Sequence, residues 1–264
     1  MMKVIILCGG MGTRLREETE YKPKPMVEIG GKPILWHIMK HYAHYGYKEF
    51  ILALGYRGDY IKQYFLNFNR YNSDFTVDLG RGGDVMMHDS QVHEDWRITL
   101  VNTGLHSMTG FRTKICGKYI EEDNFMLTYG DAVSNVNIGE LVEFHKMQNT
   151  VGTVTGVFPP SRFGDLVVQN NKVIRFKQQL KDVENQAPIN GGFFVFKRSF
   201  LDTIDDNPEV NLENEPMDRL VREEQLSVFH HREFWQCMDT YRDNQLLEKM
   251  WMNNPLWKVW RDEC

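Results

Sequence analysis

The chain begins with a short apolar run that leads directly into a glycine-rich turn. Residues 4–8, Val-Ile-Ile-Leu-Cys, contain no charged side chain and predict a buried β-strand. Gly9, Gly10 and Gly12 follow at once. Because glycine lacks a Cβ, such a turn can adopt positive φ and bring backbone N–H groups close to a ligand. A strand that feeds this turn is typical of phosphate binding, whereas a Gly-Gly pair alone is equally typical of a tight structural turn.

Two fixed cations downstream favour the phosphate-binding interpretation. Arg14 and Lys24 lie on the connection that begins with the glycine turn. Lys24 stands between Pro23 and Pro25, and a residue before proline is driven toward extended conformations, so we expect a stiff, extended segment here. A stiff lysine loses less entropy on meeting a phosphate than one on a flexible loop. The region therefore predicts a site for a highly charged anion such as a nucleoside triphosphate.

The turn matches neither of two well-known nucleotide-binding fingerprints. A dinucleotide fingerprint needs G-x-G-x-x-G at the start of a helix and an acidic residue about 20 residues later, at the end of the next strand. Here the glycines fall as G-G-x-G, and the next predicted strand, 50–54, ends at Gly55 without a carboxylate. A P-loop is closed by G-K-[ST], which this turn lacks.

The overall composition excludes several other classes of protein. The chain has 264 residues, 42% hydrophobic and 25% charged, as in ordinary soluble globular proteins. Its net charge of −5 argues against a general nucleic-acid-binding surface. The first apolar run is too short for a secretory signal, and no run approaches the ~18 apolar residues of a membrane span, so we expect a cytoplasmic protein without a membrane partner. The four scattered cysteines predict free thiols rather than a disulfide or a zinc site.

Beyond the turn, predicted strands and helices alternate along the chain. This alternation predicts an α/β fold with a largely parallel sheet that helices cover on both faces. We expect one domain, 1–264, whose second half adds a smaller lobe, since the sequence shows no linker, repeat or low-complexity tract. The predicted strands are 50–54, 98–101, 125–129, 151–157, 193–196 and 226–229, with a hairpin of 166–168 and 173–176. The predicted helices are 34–45, 59–68, 110–119, 138–147, 212–224 and 241–251, and a polar insertion with short strands is predicted for 69–97.

Two aspartates occupy positions suited to a metal ion. Asp131 comes after a predicted strand and Gly130, and ligands of such sheets bind at the carboxyl ends of the strands. Magnesium is usually held by one or two carboxylates together with substrate phosphates, which makes Asp131 a candidate Mg²⁺ ligand. Asp239 is the best candidate for a second acid, and a cap of the last helix explains its position equally well. Asp243 and Asp262 are expected to be solvated surface charges.

A set of short motifs extends over nearly the whole chain. They are Gly-Gly-Met-Gly-Thr-Arg-Leu at 9–15, Lys-Pro-Lys-Pro-Met at 22–26, Gly-Lys-Pro-Ile-Leu-Trp-His at 31–37, Tyr-Gly-Asp at 129–131, Arg-Phe-Gly at 162–164, Ile-Asn-Gly-Gly-Phe-Phe at 189–194 and Phe-Trp-Gln-Cys-Met-Asp-Thr at 234–240. With these motifs the chain resembles the bacterial sugar nucleotidyltransferases, and within them the glucose-1-phosphate cytidylyltransferase branch. The resemblance implies a Rossmann-like three-layer fold with a mixed, mostly parallel sheet and a smaller sugar-binding lobe.

The same resemblance implies a reaction and a set of residue roles. CTP and a sugar 1-phosphate, with glucose 1-phosphate as the expected substrate, would give a CDP-sugar and pyrophosphate with Mg²⁺ as cofactor. The implied catalytic residues are Arg14, Lys24 and Asp131, and the implied metal ligands are Asp131 and Asp239. The implied nucleotide-binding residues are Leu7, Gly9, Gly10, Met11, Gly12, Thr13, Arg14, Lys24, Thr109, Gly110, Arg112 and Gly130. The implied sugar-phosphate-binding residues are Gln178, Gln179, Asn190 and Gly192. The resemblance also implies a homo-oligomer, nucleotide binding in the N-terminal part, a sugar-phosphate lobe at about 150–240 and a closing C-terminal helix.

The chain departs from the family pattern close to the implied site. Gln178, Gln179 and Leu180 align with a Glu-Lys-Pro motif whose glutamate contacts the sugar and whose lysine contacts its phosphate in relatives. Losing a hydrogen bond to a charged group costs roughly 1.5–3 kcal/mol, or about one to two decades in binding or rate. Phe111 and Ala132 also stand where relatives carry glycine.

These departures leave three interpretations open. The protein is a cytidylyltransferase for glucose 1-phosphate at reduced rate, a cytidylyltransferase for another phosphorylated substrate, or a nucleotide-binding paralogue with weak or no activity. We favour an active enzyme, because the residues implied for the triphosphate and the metal, Arg14, Lys24, Asp131 and Asp239, are all present.

Overall fold

The structure, a computed structural model, describes residues 1–12, 15, 19–88, 94–159, 165–169, 172–177 and 187–261. Its strands are β1 (Val4–Cys8), β2 (Glu28–Ile29), β3 (Lys32–Pro33), β4 (Glu49–Leu54), β5 (Phe75–Asp78), β6 (Asp84–Met87), β7 (Arg97–Asn102), β8 (Asn124–Tyr129), β9 (Ala132–Ser134), β10 (Gly152–Val157), β11 (Asp165–Gln169), β12 (Lys172–Lys177), β13 (Ile189–Lys197), β14 (Leu226–His231) and β15 (Trp235–Cys237). Its α-helices are α1 (Ile34–His44), α2 (Gly58–Leu66), α3 (Phe68–Asn72), α4 (Thr109–Gly117), α5 (Ile138–Gln148), α6 (Glu215–Arg222) and α7 (Tyr241–Asn253), and 3₁₀ helices cover Lys24–Met26, Leu79–Arg81 and Arg198–Thr203. Within these described ranges, none of the helices has the length and apolar character needed to cross a membrane.

A seven-stranded sheet forms the centre of the fold. Its strand order is β14–β10–β13–β8–β1–β4–β7. Strand β13 runs antiparallel to both of its neighbours, β10 and β8, whereas the other pairs in the sheet are parallel. The sheet is therefore mixed and mostly parallel, which confirms the predicted fold class. Because β1, β4, β7 and β8 run in the same direction, their carboxyl ends lie at one edge of the sheet.

Both faces of the central strand β1 are buried, so the fold has three layers. Val4 and Ile6 belong to one core, together with buried residues of α1, α5 and α7. Ile5 and Leu7 belong to a second core that includes residues of α4 and α6. Alternate residues of a strand point to opposite faces, so a strand covered on both sides is apolar at every position. This explains why the run at 4–8 has no polar interruption.

Most predicted strands and helices lie within a few residues of their observed positions, but two helices differ. The helix predicted for 59–68 is interrupted at Asn67, whose side-chain amide donates to the backbone oxygen of Gln63 at 2.9 Å, and a separate α3 follows. The helix predicted for 212–224 begins later, at Glu215, with Pro216 in its first turn. Proline is favoured there because its fixed φ suits a helix start and its missing N–H has no intrahelical partner at that position.

The predicted hairpin and the short strands predicted for the polar insertion are present, and two further ladders were not predicted. β11 and β12 pair antiparallel across 170–171, and the polar insertion contains the antiparallel pair β5–β6. The short ladders β2–β3 and β9–β15 have no counterpart in the sequence-based expectations. Strands of two or three residues carry too little hydrophobic alternation to be detected in a sequence.

The C-terminal segment packs on α1 through a cluster of aromatic rings. His37 of α1 lies among Trp251, Trp257 and Trp260, with ring centroids 4.7, 5.9 and 6.2 Å away. The indole N–H of Trp257 donates to His37 Nδ1 at 3.3 Å, and His37 Nε2 lies 2.9 Å from the oxygen of Ile29. These contacts suit a neutral imidazole, and burial lowers the pKa of His37 to about 4. His37 is therefore a packing residue between α1 and the C-terminal segment.

The cysteines in the described part of the chain are free thiols, in agreement with the sequence-based expectation. Cys8 and Cys116 are buried, and Cys237 is partly exposed. Burial raises the pKa of Cys116 to about 12, and it raises the pKa of Cys8 as well, so both thiols are protonated at neutral pH. Cys264 lies outside the described residues.

Candidate active site

A cleft opens at the edge of the sheet where β1 and β8 end. It encloses about 370 Å³ and brings the glycine turn after β1 together with Asp131 after β8. Its lining residues are Leu7, Cys8, Gly9, Gly10, Gly12, Lys24, Pro25, Ser107, Met108, Thr109, Arg112, Tyr129, Gly130, Asp131 and Asp239. Residues that are far apart in the sequence therefore converge on a single cavity, as expected for ligand binding at the carboxyl ends of the strands.

The two strand ends approach each other so closely that glycine is required. The N–H of Gly130 donates to the oxygen of Leu7 at 3.1 Å, and a Cβ on Gly130 would lie 2.9 Å from that oxygen. Gly12 has a φ of +63°, and a Cβ there would lie 2.9 Å from the side chain of Thr19. At Gly10, in contrast, a Cβ would meet nothing within 4 Å, so the space above this residue is open to a ligand.

The centre of the cleft is an ion-pair triad of one lysine and two aspartates. Lys24 Nζ lies 2.6 Å from an Asp131 carboxylate oxygen and 2.6 Å from an Asp239 carboxylate oxygen. Burial by itself lowers the pKa of Lys24, but Asp131 and Asp239 outweigh burial and the pKa is raised. The ammonium is therefore charged at neutral pH, and the triad carries a net charge of −1.

The backbone at Lys24 differs from the expected extended conformation. Lys24 opens the 3₁₀ helix Lys24–Met26, in which Met26 N donates to Pro23 O at 2.8 Å and Val27 N donates to Lys24 O at 3.1 Å. These two turn bonds outweigh the preference of a residue before proline for extended backbone. The prediction of an extended segment is therefore wrong, whereas the two prolines on either side of Lys24 still limit its mobility.

The two aspartates come together because of the β9–β15 ladder. Ala132 pairs with Cys237 in this ladder, and Met238 N donates to Asp131 O at 2.8 Å. Asp131 immediately precedes one strand of the ladder, and Asp239 follows the other after one residue. The ladder thus places both carboxylates beside Lys24, although they are more than 100 positions apart in the chain.

The start of α7 shows how Asp239 and Asp243 are placed. Thr240 is the N-cap, and its hydroxyl accepts a bond from the N–H of Asp243, while an Asp243 oxygen accepts from the N–H of Thr240. Asp239 lies one residue before the cap, and its carboxylate contacts Lys24 instead of the helix. The expectation that Asp243 is a solvated charge is wrong, because it completes a capping box. Asp262 lies outside the described residues.

The donor set of the triad fits a magnesium ion. Two carboxylates converge on one point, and oxygen ligands from one or two carboxylates are what Mg²⁺ uses when phosphates and water complete its shell. No group of three or more His, Cys, Asp or Glu side chains suited to a metal exists among the described residues. Two carboxylates would leave most of the coordination shell of such an ion to phosphate and water oxygens.

Arg112 supports the glycine turn through a hydrogen bond to the oxygen of Gly9. Its guanidinium donates to the oxygens of Leu54, Gly104, Leu105 and Gly9 and to the Thr103 hydroxyl, at 2.6 to 3.2 Å. A Cβ on Gly9 would lie 2.2 Å from Arg112 Nη1, so only glycine permits this contact. The side chain is 4% exposed, and burial lowers its pKa. Arg112 lines the cleft, and its donors bind the protein backbone at the ends of the strands.

The first turn of α4 contacts the segment that precedes α6. The Thr109 hydroxyl lies 2.5 Å from an Asn211 side-chain oxygen and 2.8 Å from a Glu213 carboxylate oxygen, and it accepts the N–H of Leu212 at 2.9 Å. A Cβ on Gly110 would lie 2.9 Å from the oxygen of Val210. Both predicted nucleotide-binding residues thus fix this wall of the cleft, and Thr109 also faces the cavity.

A network around Tyr129 joins this wall to β13. The Tyr129 hydroxyl donates to Glu213, and the Asn190 side-chain amide lies 3.3 Å from the same hydroxyl. Asn190 also accepts the N–H of Gly192 at 2.9 Å, and Gly192 has a φ of +79°. Tyr129 and Glu213 were not predicted as site residues. Tyr129 stands in the Tyr-Gly-Asp motif, but nothing in the sequence around Glu213 indicates its partner.

Several predicted residues lie outside the cavity or outside the described part of the chain. Met11 belongs to the glycine turn but is 45% exposed and does not line the cleft. Phe111 does not line the cleft either, and Ala132 is buried at the start of β9. The remaining predicted residues, Thr13, Arg14, Gln178 and Gln179, lie outside the described residues together with Leu180. Their roles stay predictions.

The chain belongs to the nucleotidyl transferase family, whose model matches residues 3–262. It is 47% identical to a glucose-1-phosphate cytidylyltransferase of Salmonella typhi over 98% of this chain and all of that protein. It is also 40% identical to a probable glucose-1-phosphate cytidylyltransferase of Bacillus subtilis, again over 98% of this chain and all of the relative. These similarities confirm the family that the motifs indicate.

A solved structure with much lower sequence identity shares the fold. It is a putative glucose-1-phosphate thymidylyltransferase from Bacillus anthracis, determined in complex with a sucrose. The two structures superpose with a TM-score of 0.68 over 96% of each chain, at 17% identity. The three-layer arrangement of this chain is therefore a nucleotidyltransferase fold.

Proposed function

We propose that the protein transfers the cytidylyl group of CTP to a sugar 1-phosphate, with glucose 1-phosphate as the substrate, giving CDP-glucose and pyrophosphate. The observation that carries this proposal is the triad of Lys24, Asp131 and Asp239 beside an open glycine turn. The choice of cytidine and glucose is supported by the 47% identity to the Salmonella typhi enzyme across the whole chain.

The reaction requires the protein to position two phosphate-bearing substrates and to neutralise their charge, more than it requires proton transfer. A phosphate oxygen of the sugar 1-phosphate attacks the α-phosphorus in line, and pyrophosphate leaves. The second pKa of a phosphate monoester is about 6, so the attacking group is already ionised at neutral pH and needs no general base. Holding two polyanions in contact is then the main task of the site.

Lys24 and the glycine turn supply the binding groups for the phosphates. The N–H groups of the turn after β1 cradle the triphosphate, and Arg14 and Thr13 of the same motif add a cation and a hydroxyl. Lys24 contacts the α-phosphate or the attacking phosphate. Its ammonium already bridges two carboxylates, so a phosphate oxygen replaces one anionic partner with another and the cation is never left unpaired.

Asp131 and Asp239 are the residues that would hold Mg²⁺ in this proposal. When bound, the ion supplies positive charge to the triphosphate and orients its oxygens. The β9–β15 ladder and the capping box of α7 fix the two carboxylates relative to each other before any ligand arrives. The sequence-based choice of these two acids therefore becomes part of the proposal.

The sugar phosphate is placed on the β13 side of the cleft. Asn190 and Gly192 lie next to Tyr129, which lines the cleft, and we propose that Gln178 and Gln179 also bind the sugar phosphate. We propose a single domain, 1–264, in which the N-terminal part binds the nucleotide and residues at about 150–240 bind the sugar phosphate. We also propose that the chain forms a homo-oligomer, which light scattering on the purified protein will test.

Pyrophosphate release with each of five nucleotides tests the proposal. CTP, ATP, GTP, UTP and dTTP are each combined with Mg²⁺ and a panel of sugar 1-phosphates, and the nucleotide sugar is identified by mass. We expect turnover with CTP and glucose 1-phosphate, and none in the absence of the sugar phosphate. Faster turnover with another nucleotide would overturn the assignment of cytidine.

One observation supports a second candidate function, which the same experiment tests. Gln178, Gln179 and Leu180 replace the Glu-Lys-Pro of relatives, so the acceptor phosphate loses a charged partner. Turnover with CTP and a different phosphorylated substrate would place the change of specificity at these three residues. CTP binding without pyrophosphate release across the panel would support a non-catalytic paralogue.

A further inference from the structure

Glu213 joins two walls of the cleft, although it does not line the cleft itself. One oxygen of its carboxylate accepts the hydroxyl of Tyr129, the last residue of β8. The other oxygen lies 2.8 Å from the hydroxyl of Thr109, the first residue of α4. Both Tyr129 and Thr109 line the cavity. A carboxylate behind two lining residues can orient groups that face a ligand without touching the ligand.

The hydrogen bonds continue from Tyr129 to the start of β13. The side-chain nitrogen of Asn190 lies 3.3 Å from the Tyr129 hydroxyl oxygen. The side-chain oxygen of Asn190 accepts the N–H of Gly192 at 2.9 Å. Glu213, Tyr129, Asn190 and Gly192 therefore form one line of hydrogen bonds along the β13 side of the cleft.

The two ends of this line fix the direction of every hydrogen bond in it. A backbone N–H can only donate, so the Asn190 amide turns its oxygen to Gly192 and its NH₂ group to Tyr129. A carboxylate can only accept, so the Tyr129 proton points to Glu213. The Tyr129 oxygen is left to accept from Asn190. Hydrogen bonds that follow one another in the same direction polarise and strengthen each other.

The fixed direction gives Tyr129 and Asn190 opposite hydrogen-bonding characters toward a ligand. The Asn190 amide carries two N–H groups, of which Tyr129 accepts one, and the Tyr129 oxygen still has a lone pair. Asn190 is exposed and Tyr129 lines the cavity, so a ligand can reach both. A sugar hydroxyl both donates and accepts and can bind the two groups at once, whereas an ionised phosphate oxygen can only accept. The pair therefore suits a sugar hydroxyl.

We propose that Glu213 is a positioning residue that determines which sugar phosphates the protein accepts. By holding the Tyr129 proton, its carboxylate makes Tyr129 an acceptor and Asn190 a donor toward one hydroxyl of the sugar. Glu213 acts through these two residues and does not contact the sugar. The inference rests on the proposed function, because it takes a sugar phosphate as the ligand on the β13 side of the cleft.

Glu213→Gln isolates this role, because it changes the hydrogen-bonding character of the side chain and keeps its shape. The oxygen of the glutamine amide can retain the bond to Thr109, and its NH₂ group then faces Tyr129. The Tyr129 proton loses its acceptor, and the line no longer has a single direction. The Asn211 side-chain oxygen also lies 2.5 Å from the Thr109 hydroxyl, so the wall at Thr109 stays in place.

The test compares kcat/KM for glucose 1-phosphate, or the sugar 1-phosphate that replaces it in the panel, with kcat/KM for its monodeoxy analogues, each lacking one hydroxyl. We expect the wild type to prefer the parent sugar over one of these analogues by about tenfold or more. Glu213→Gln is expected to lose about three- to tenfold of this preference, the value of one neutral hydrogen bond. Its KM for the sugar phosphate rises, while its KM for the nucleotide stays within about twofold of the wild type.

Glu209→Gln is the matched control for this comparison. It makes the same chemical change at an exposed position in the segment before α6 and lies outside the cleft lining. We expect this variant to keep the wild-type preference among the sugars and both wild-type KM values.

A double-mutant cycle shows whether Glu213 acts through Asn190. In an Asn190→Ala background, Glu213→Gln is expected to have no further effect on the preference, because the donor that it orients is already gone. Additive effects of the two substitutions would mean that Glu213 acts by another route, and they would overturn the proposal.

The remaining outcomes separate this inference from the proposed function. Wild-type turnover with an unchanged preference in Glu213→Gln, or a wild type that accepts every monodeoxy analogue equally well, overturns the role of Glu213 and leaves the proposed function intact. Equal rises of the two KM values in Glu213→Gln, or the same loss of preference in Glu209→Gln, indicate a general change of structure and also overturn that role. Absence of wild-type turnover with every sugar 1-phosphate contradicts the proposed function itself.

Discussion

The cations on the two sides of the cleft contact different kinds of oxygen atom. On one side, which we call the carboxylate side, Lys24 faces Asp131 and Asp239 at 2.6 Å each. On the other, the carbonyl side, Arg112 donates to backbone oxygens at the ends of β1, β4 and β7. Lys24 can exchange a carboxylate for a phosphate without losing an ionic partner. Arg112 cannot leave its carbonyls without uncovering several buried acceptors.

In the proposed function, this difference separates Lys24, which contacts the reacting phosphates, from Arg112, which supports the shape of the cleft. An ion pair between two side chains can be exchanged for an ion pair with a charged ligand. Hydrogen bonds from a rigid guanidinium to the backbone instead hold the shape into which the ligand fits. A positive side chain in a cleft is therefore not by itself evidence of phosphate binding. Which oxygens it already contacts, and whether those oxygens can move, decide its role.

The largest expected effect lies on the carboxylate side. We predict that Asp131→Asn lowers Mg²⁺-dependent turnover by roughly 10²–10³-fold, because it removes one of two negative charges that match the metal and Lys24. Asp218→Asn, an exposed aspartate on α6, is the matched control and keeps wild-type turnover. Steady-state pyrophosphate release measures both variants. Unchanged activity of Asp131→Asn would remove this carboxylate from the metal site.

On the carbonyl side, we expect substitutions to lower the stability of the protein. We predict that Arg112→Met lowers the free energy of unfolding by about 3 kcal/mol or more, since each buried acceptor left without a donor costs about 1–3 kcal/mol. Arg112→Lys recovers little of this loss, because an ammonium cannot reach the oxygens that the planar guanidinium spans. Urea unfolding measures the change, with Arg70→Met as an exposed control. A stability of Arg112→Met equal to that of the wild type would contradict the supporting role.

The pH dependence of the free energy of unfolding is expected to come from histidines buried in the core. Burial lowers the pKa values of His37 and His41 to about 4, below the value of 6.5 for an exposed ring. The unfolded chain therefore binds more protons between pH 6.5 and 4, so the stability from these groups is complete above pH 6.5 and is lost as the pH falls. Burial also lowers the pKa of His145 to about 4, and three such groups predict a loss of about 4 kcal/mol between pH 7 and 5.5.

Urea unfolding at pH 7 and pH 5.5 checks this prediction. His41→Gln, whose amide can still donate to the oxygen of Val136, is expected to remove about a third of the pH-dependent loss. Lys24 does not contribute in this range, because its pKa is raised from 10.5: its stabilising contribution is complete below pH 10.5 and is lost only at higher pH. An unaltered pH dependence in His41→Gln would show that other groups titrate.

The smallest effect is expected at the capping box that precedes α7. We predict that Thr240→Ala destabilises the protein by about 1 kcal/mol, the usual value for loss of an N-cap side chain, and that Thr240→Ser preserves stability. Thermal unfolding compares the two variants. If both lose the same stability, the hydroxyl does not cap the helix, and another contact must hold Asp239 beside Lys24.

Sequence patterns predicted the main strands and helices and most residues that line the cleft, because both depend on strongly periodic segments. The continuous apolar run at 4–8 requires a strand covered on both faces, and the glycine turn and Asp131 must then meet at one edge of the sheet. The role of Arg112 was not visible in the sequence, since the four carbonyls that it contacts come from three separate segments. That Thr240 and not Asp239 is the N-cap of α7 became clear only from the structure, because both roles suited the spacing of Asp239, and its role as a metal ligand stays a prediction.

Turnover per folded molecule of Lys24→Met is the most direct test of the account. Pyrophosphate release is measured with CTP, Mg²⁺ and glucose 1-phosphate and divided by the folded fraction obtained from an unfolding curve of the same sample. We predict a fall of roughly 10²-fold or more, since the variant loses the cation that contacts the reacting phosphates. Turnover within about threefold of the wild type would contradict the assignment of Lys24 to the reacting side of the cleft.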